Sequence, residues 1–268
     1  MVAVILTYRR TELLRRCVDA VLGQTRPPDS ILVVDNDRLA RIVIADRPGA
    51  EVVETGQNLG PAGGYHFGFR LALERGADRI WTVDDDLEPG AGCLEALLSA
   101  SSGADVVVPL QLKRTKVQGH PPSWNGALFG AGVVRAVGLP REEFFFWAED
   151  TEYFLRIKMA GFPVRKVNDA TVMHWNPEDR FRGRRRDWRL YYEVRNGLYY
   201  RLRIHPLTRR GVYRALSGAL GKLVSIVLFE PGKVMSLRLW LWGVRDFLRG
   251  RLGKLVDPEA WSDDDRPR

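Results

Sequence analysis

A repeated change of hydrophobic period restricts what this chain can fold into more than any other feature. Over roughly the first hundred residues, short β-rich runs alternate with segments whose apolar residues recur at helical spacing. Val2 to Leu6 predicts a buried first strand, and Thr11 is placed to cap a helix whose inner face carries Leu14, Cys17, Val18, Val21 and Leu22. "SILVVDN", Ser30 to Asn36, predicts the second strand, Glu51 to Glu54 a short third, and "RIWTV" the fourth. "NLGPAGGYHFGFRLALERG" predicts a Gly-rich loop that becomes helix from Ala62 to Glu74. A helix over Ala91 to Ser101 and a fifth strand, "ADVVVPL", continue the order. This is the pattern of a doubly wound, mostly parallel α/β sheet, in which ligands bind at the C-terminal ends of the strands.

The alternation then fails. Lys113 to Trp124 is polar and Pro-containing, which predicts a loop or irregular strands on an acceptor side. Helix resumes over Glu149 to Ala160, and "FPVRKV" and "ATVMHW" predict two short strands. From Asp187 the residues change to Arg, Leu, Tyr and Trp in helical spacing, so the expected domains are residues 1–186 and a helical module, 187–268, with a polar tail.

With 268 residues, 45% of them hydrophobic, the chain can bury a sizeable core. Lys and Arg number 41 against 33 Asp and Glu, a net charge of +8, which implies an anionic partner: phosphates, nucleic acid or acidic lipid. Cys17 and Cys93 match no ligand spacing, which argues against a disulfide framework or a zinc site and suits a reducing compartment. "MVAVILTYRR" lacks the basic n-region of a signal peptide, and the apolar stretch Ala215 to Phe229 is broken by Lys222, so no membrane span is expected.

Chemistry concentrates in three places. "IWTVDDDLEPG" runs a strand into Asp84, Asp85 and Asp86, which need a counter-charge. In an extended triplet Asp84 and Asp86 share one side and can grip a divalent cation; a solvated acidic turn is the bland alternative. In "FFFWAEDTEYFLRIKMAGF", Glu149 and Asp150 follow Phe144 to Trp147, and aromatic packing raises a carboxylate pKa toward the range of a general base. The same two residues are ordinary in the first turn of a helix. His174 ends a predicted strand, either as a structural residue or as a ligand that, with carboxylates, favours manganese-like ions over calcium. "DRFRGRRRDWR", Asp179 to Arg189, is a solvated face or a phosphate-binding loop. "GPAGG" is neither a dinucleotide fingerprint nor a Walker motif, yet it can admit a ligand near the backbone.

In order and spacing, "VILTYRR", "QTRPPDSILVVDN", "NLGPAGGYHFGF", "WTVDDDLEPG", "GALFGAGVVRAVGLP", "FFFWAEDTEYFLRIKMAGF" and "VMHW" together resemble the family 2 glycosyltransferases of GT-A fold. "YYEVRNGLYY" further resembles their bacterial rhamnosyl- and galactofuranosyltransferase branch, which builds cell-envelope polysaccharide on lipid carriers. The resemblance implies inverting transfer of a sugar from a UDP or dTDP donor to an acceptor hydroxyl. It implies Thr7, Arg9, Asp35, Asn58, Gly60 and Gly63 on the donor side, with Asp85 facing the ribose or sugar. It implies Mn²⁺ or Mg²⁺ held by Asp84, Asp86 and His174, and Asp150 as the base. Trp124, Trp147 and Glu149 are the candidates on the acceptor side. The expected partners are a nucleotide-diphosphate sugar, a glycan or polyprenyl-linked acceptor and an anionic membrane surface, and nucleic acid is not among them.

The Arg- and Trp-rich helices near the C-terminus can lie in a membrane interface or join a second subunit, and the implied location is cytoplasmic, peripheral on the inner face of the plasma membrane. A sugar-phosphate nucleotidyltransferase is a weaker match, because its Gly-rich loop should follow the first strand, where "TYRRTELL" stands. Against a non-catalytic scaffold of the same fold stand the intact Asp84, Asp86, Asp150 and His174.

Overall fold

Strand β1 (Val2–Thr7) is buried along its whole length because it lies between two parallel neighbours, β2 (Ser30–Asp35) and β4 (Arg79–Asp84). Its side chains alternate, Val2, Val4 and Leu6 entering one core and Ala3 and Ile5 the other. Here the computed structural model describes residues 1–113, 116–117, 122–175, 188–230 and 232–260. The chain divides into two units, residues 1–142 with 153–177, and residues 143–152 with 178–268.

In the first unit, α1 (Thr11–Leu22) packs Leu14, Cys17, Val18 and Val21 on the Ala3 side of the sheet. Thr11 is its first helical residue and the N-cap is Arg10, which forms no side-chain cap, so the expected Thr11 cap is absent. On the Val4 side lies α3 (Gly60–Glu74), which takes up the whole of "GPAGG"; the expected loop is already helix. The reason is close approach. A Cβ on Gly64 would stand 2.3 Å from Leu6 Cδ1, and one on Gly68 2.5 Å from Val4 Cγ1. Glycine lets this helix sit directly on β1.

β3 (Ala50–Glu54) extends the parallel half of the sheet beside β2. Beyond β4 the sheet becomes mixed. β8 (Leu128–Gly130) runs antiparallel between β4 and β6 (Val106–Lys113), β9 (Val164–His174) is parallel to β6, and β5 (Leu87–Pro89) is antiparallel to β9. With β7 (Lys116–Val117) on β6, the described residues form one nine-stranded sheet. The two short strands expected before His174 are a single strand. Its register slips where Pro109 faces Val167 and Leu110 faces Thr171, a bulge beside a proline that has no N–H to give the ladder. The first-unit layers are completed by α4 (Cys93–Ala100), α5 (Ala131–Val137) and the part of α6 (Glu149–Met159) from Tyr153 onward.

The second unit packs α7 (Arg189–Tyr199), α8 (Arg209–Phe229) and α9 (Lys233–Leu248) around a core that includes Phe145, Tyr191, Tyr192, Ile226 and Leu239. Despite Lys222, α8 is long and apolar enough to cross a membrane by length and composition alone, a test that core helices also pass, and 11% of its apolar window is buried. Lys222 is ion-paired with Glu193 of α7. Of the basic run Asp179 to Arg189, only the final Trp188 and Arg189 are described; residues 179–187 lie outside the described residues, as do 114–115 and 118–121 of the expected acceptor region and 261–268 of the tail.

Candidate active site

The parallel register that sets Leu6 opposite Asp84 brings the residues after β1 beside the acidic triplet. The triplet is not extended. β4 ends at Asp84 and the chain turns through Asp85 and Asp86 before β5, so each carboxylate meets different partners. Asp84 accepts a 2.5 Å hydrogen bond from the Tyr65 hydroxyl of α3. Asp85 accepts from Thr7 Oγ1 at 2.9 Å and from the Tyr8 amide at 3.3 Å. Arg10 Nη1 donates to Asp85 Oδ1 at 3.0 Å and to Asp86 Oδ2 at 2.5 Å.

His174 reaches the same place by sheet pairing. Leu87 faces His174 across β5 and β9, and the Trp175 amide donates to the Asp86 carbonyl at 2.8 Å. His174 Nε2 then stands 3.3 Å from Asp86 Oδ1. Residues distant in sequence thus share one carboxylate.

Burial dominates the electrostatics. It raises the Asp84 pKa, and the charge of Asp86 raises it further. It pushes Asp85 up to about 7 against the pull of Arg10. For Asp86, burial also pushes upward, but the His174 hydrogen bond and Arg10 prevail and hold it below the ordinary carboxylate range. Burial would lower His174, yet its bond to Asp86 leaves it raised. Arg10 and Tyr65 are the site residues that motif reading missed. The need for a counter-charge pointed to something like Arg10, but only strand pairing identifies it.

The residues expected on the donor side each have partners within the chain. Asp35 is fully buried and spends its oxygens on the backbone, Oδ1 accepting from Asp37 N and Arg38 N at 2.9 and 3.0 Å and Oδ2 from Ala40 N at 2.8 Å. It ties the turn into α2 (Ala40–Val43). Asn58 accepts from the Gly60 amide at 2.9 Å and so holds the start of α3. A Cβ on Gly63 would meet Leu59 Cβ at 2.7 Å, so this glycine serves helix packing. Thr7 orients Asp85. Arg9 is exposed, adopts φ of 56°, and lays its guanidinium 5.0 Å from the Tyr8 ring centroid. Trp124, expected on the acceptor side, is 3% exposed, stacks on Tyr65 at 4.8 Å and packs on Tyr153 at 5.4 Å. It buttresses the tyrosine that holds Asp84.

The second acidic cluster belongs to the second unit. Phe145, Trp147 and Ala148 take left-handed φ values of 62°, 74° and 68° directly before Glu149 and Asp150. Trp147 is 45% exposed, and Glu149 is buried. Asp150 accepts from Thr151 N at 2.5 Å and Thr151 Oγ1 at 3.1 Å, and burial, outweighing these bonds, raises its pKa.

Among the described residues, no three His, Cys, Asp or Glu side chains already converge on a metal position. The donor chemistry of Asp84, Asp86 and His174 nonetheless fits a divalent cation, since buried carboxylates crowd one another with raised or strongly paired charges.

The Glycosyl transferase family 2 signature matches residues 2–135. Galactofuranosyltransferase GlfT1 of Mycolicibacterium smegmatis is 30% identical over 281 aligned residues, covering 89% of this chain and 93% of that protein. The GlfT1 of Mycobacterium tuberculosis H37Rv is 30% identical over 67% of this chain and 71% of its own. Among solved structures, Staphylococcus aureus TarS superposes with TM-score 0.62 at 14% identity, over 92% of this chain but only 48% of TarS; its 1–349 fragment with UDP-GlcNAc gives 0.61 at 15% identity, over 92% and 80%. The mannosyltransferase PcManGT of Pyrobaculum calidifontis, in complex with GDP-Man and Mn²⁺, gives 0.58 at 16% identity, over 92% and 86%. The GT-A fold is therefore present, and the chain belongs to glycosyl transferase family 2, in its galactofuranosyltransferase branch, as a nucleotide-sugar glycosyltransferase.

Proposed function

We propose that the chain transfers a hexosyl group, with galactofuranosyl favoured by its relatives, from a UDP or dTDP donor to a glycan or polyprenyl-linked acceptor of the cell envelope. The observation that carries this is the buried acidic turn after β4, with Arg10 and His174 brought to it by sheet pairing. Asp84, Asp86 and His174 would hold Mn²⁺ or Mg²⁺, which supplies a positive counter-charge for the leaving diphosphate. In this reading Arg10 balances the triplet until the cation and donor arrive. Thr7 and the Tyr8 amide keep Asp85 oriented, and Tyr65 keeps Asp84 in place. Asp150 is the base: it takes the proton from the acceptor hydroxyl as that oxygen bonds to the anomeric carbon and the bond to the diphosphate breaks, the electron pair leaving with the diphosphate. Burial raises its proton affinity, which suits a base better than a solvated carboxylate does.

Peripheral attachment to the inner face of an anionic plasma membrane is part of the proposal, and the exposed apolar side chains of α8 support it. On α9, Trp240 and Phe247 pack against the second core and Trp240 Nε1 bonds the Ala219 carbonyl at 2.9 Å, while Trp242 is 39% exposed. The outward stripe is Tyr213, Leu216, Leu220, Val224 and Val227, each at least 46% exposed, with Arg209, Arg210 and Arg214 exposed at the head of the helix. A second copy of the chain would cover the same stripe, and vesicle binding distinguishes the two. The donor reading is tested by calorimetry of UDP and dTDP with and without Mn²⁺. It requires metal-dependent binding that Asp86→Asn weakens, and equal affinity after chelation rejects the metal role.

A further inference from the structure

The second unit carries a fully buried Arg-Asn pair, Arg195 and Asn196 of α7, that the chemistry above does not use. Asn196 Nδ2 donates to the carbonyls of Phe144 at 2.9 Å, Phe146 at 2.7 Å and Trp147 at 3.1 Å. Its Oδ1 accepts from Arg195 Nε at 2.8 Å, which fixes which end of the amide faces the carbonyls. Arg195 Nη2 adds a bond to the Phe144 carbonyl at 3.1 Å, and Nη1 reaches the Gly253 carbonyl at 2.7 Å. The segment so gripped is the one whose Phe145, Trp147 and Ala148 hold left-handed φ values.

Left-handed backbone at bulky residues costs of order 1–3 kcal/mol each, so this turn persists only where its surroundings over-determine it. Carbonyls turned inward by such a backbone would be unsatisfied in the core, and Asn196 and Arg195 satisfy them. The turn then feeds directly into α6, whose second residue is Asp150. Its geometry sets where that carboxylate begins.

We propose that Asn196, locked by Arg195, is a positioning residue for Asp150: it holds the aromatic turn 144–148 in the strained form that aims the base and presents Trp147. The inference rests on the reading of Asp150 as the base, and its test separates the two. Asn196→Ala removes the amide that serves the three carbonyls, and Asn196→Asp keeps the shape and the contact to Arg195 while replacing the donating NH2 with an acceptor. Trp240→Phe, which loses a hydrogen bond elsewhere in the same unit, serves as the control for general destabilisation. Two readouts are taken: transfer kinetics, and amide hydrogen exchange over residues 143–152. Both Asn196 variants should exchange faster there and lose turnover by roughly a hundredfold, the scale of a misplaced catalytic group, with donor KM within about twofold of wild type. Trp240→Phe should keep both. Unchanged exchange and turnover in the Asn196 variants, with Asp150→Asn inactive, overturns the positioning role and leaves the base in place. Full activity of Asp150→Asn overturns the base itself, and exchange over 143–152 still decides whether Asn196 orders the turn.

Discussion

Arg10 Nη1 lies 2.5 Å from Asp86 Oδ2, joining the residue that precedes α1 to the last carboxylate of the triplet after β4. The guanidinium therefore stands where the sequence required a positive charge. Replacing it leaves buried Asp85 and Asp86 without that partner, and because the Arg10 side chain is 40% exposed the expected loss is modest, about 1–3 kcal/mol. If a divalent cation takes over the same role, Mn²⁺ will raise the melting temperature of Arg10→Ala more than that of wild type. Thermal denaturation with and without Mn²⁺ checks this, and equal shifts argue against a shared cation position.

If Asp150 is the base, as proposed, its ionisation shapes the acid limb of the rate profile, together with Asp84 and Asp85, whose pKa values burial also raises. Asp150 has its pKa raised by burial, so it stays protonated, and unable to accept a proton, to a higher pH than an ordinary aspartate near 3.9. Transfer at saturating donor should therefore fall as pH drops through a value above that figure. A limb at or below the ordinary carboxylate range contradicts the assignment.

Trp124 is buried against Tyr65, and kinetics can distinguish a structural role from an acceptor-side one. Its indole N–H has no hydrogen-bond partner among the described residues, so Trp124→Phe keeps an aromatic ring without losing a bond, and the smaller ring in this packed site should cost about 1–3 kcal/mol. Acceptor KM should not change. A tenfold rise in acceptor KM without loss of stability would place Trp124 on the acceptor side.

Gly64 tests the packing of α3 on β1. A methyl group there collides with Leu6, so Gly64→Ala should destabilise by about 1–3 kcal/mol in chemical denaturation. An unaffected midpoint would mean that the helix does not depend on this contact.

For membrane attachment, Leu220→Glu with Val227→Glu should lower co-sedimentation with anionic vesicles at least tenfold, while Trp240→Phe leaves it unchanged. Wild-type binding should fall as salt is raised. Undiminished binding of the double variant places the contact elsewhere.

Local pattern made much of this molecule legible. β1, β2, β4 and the inner face of α1 followed from period and burial, because buried parallel strands are apolar throughout and amphipathic helices are not. The acidic turn and His174 were visible as residue types at strand ends. What sequence could not supply was pairing. That Leu6 faces Asp84, and so brings Arg10 to the triplet, is a matter of register between strands far apart in the chain. "GPAGG" looked like a loop because glycine disfavours helices, yet tertiary contact with Leu6 and Val4 overrides that propensity. Likewise, nothing local to "FFFWAED" announces that Asn196 grips it.

The base assignment is tested most directly by the turnover of Asp150→Asn at saturating donor and Mn²⁺, with Glu149→Gln measured alongside. Asparagine keeps the size of aspartate but cannot take the hydroxyl proton, so turnover should fall by roughly a hundredfold or more while donor affinity stays within about twofold. Near-normal turnover of Asp150→Asn beside an inactive Glu149→Gln would move the base by one residue, and near-normal turnover of both would make the aromatic-acidic turn structural and contradict the account.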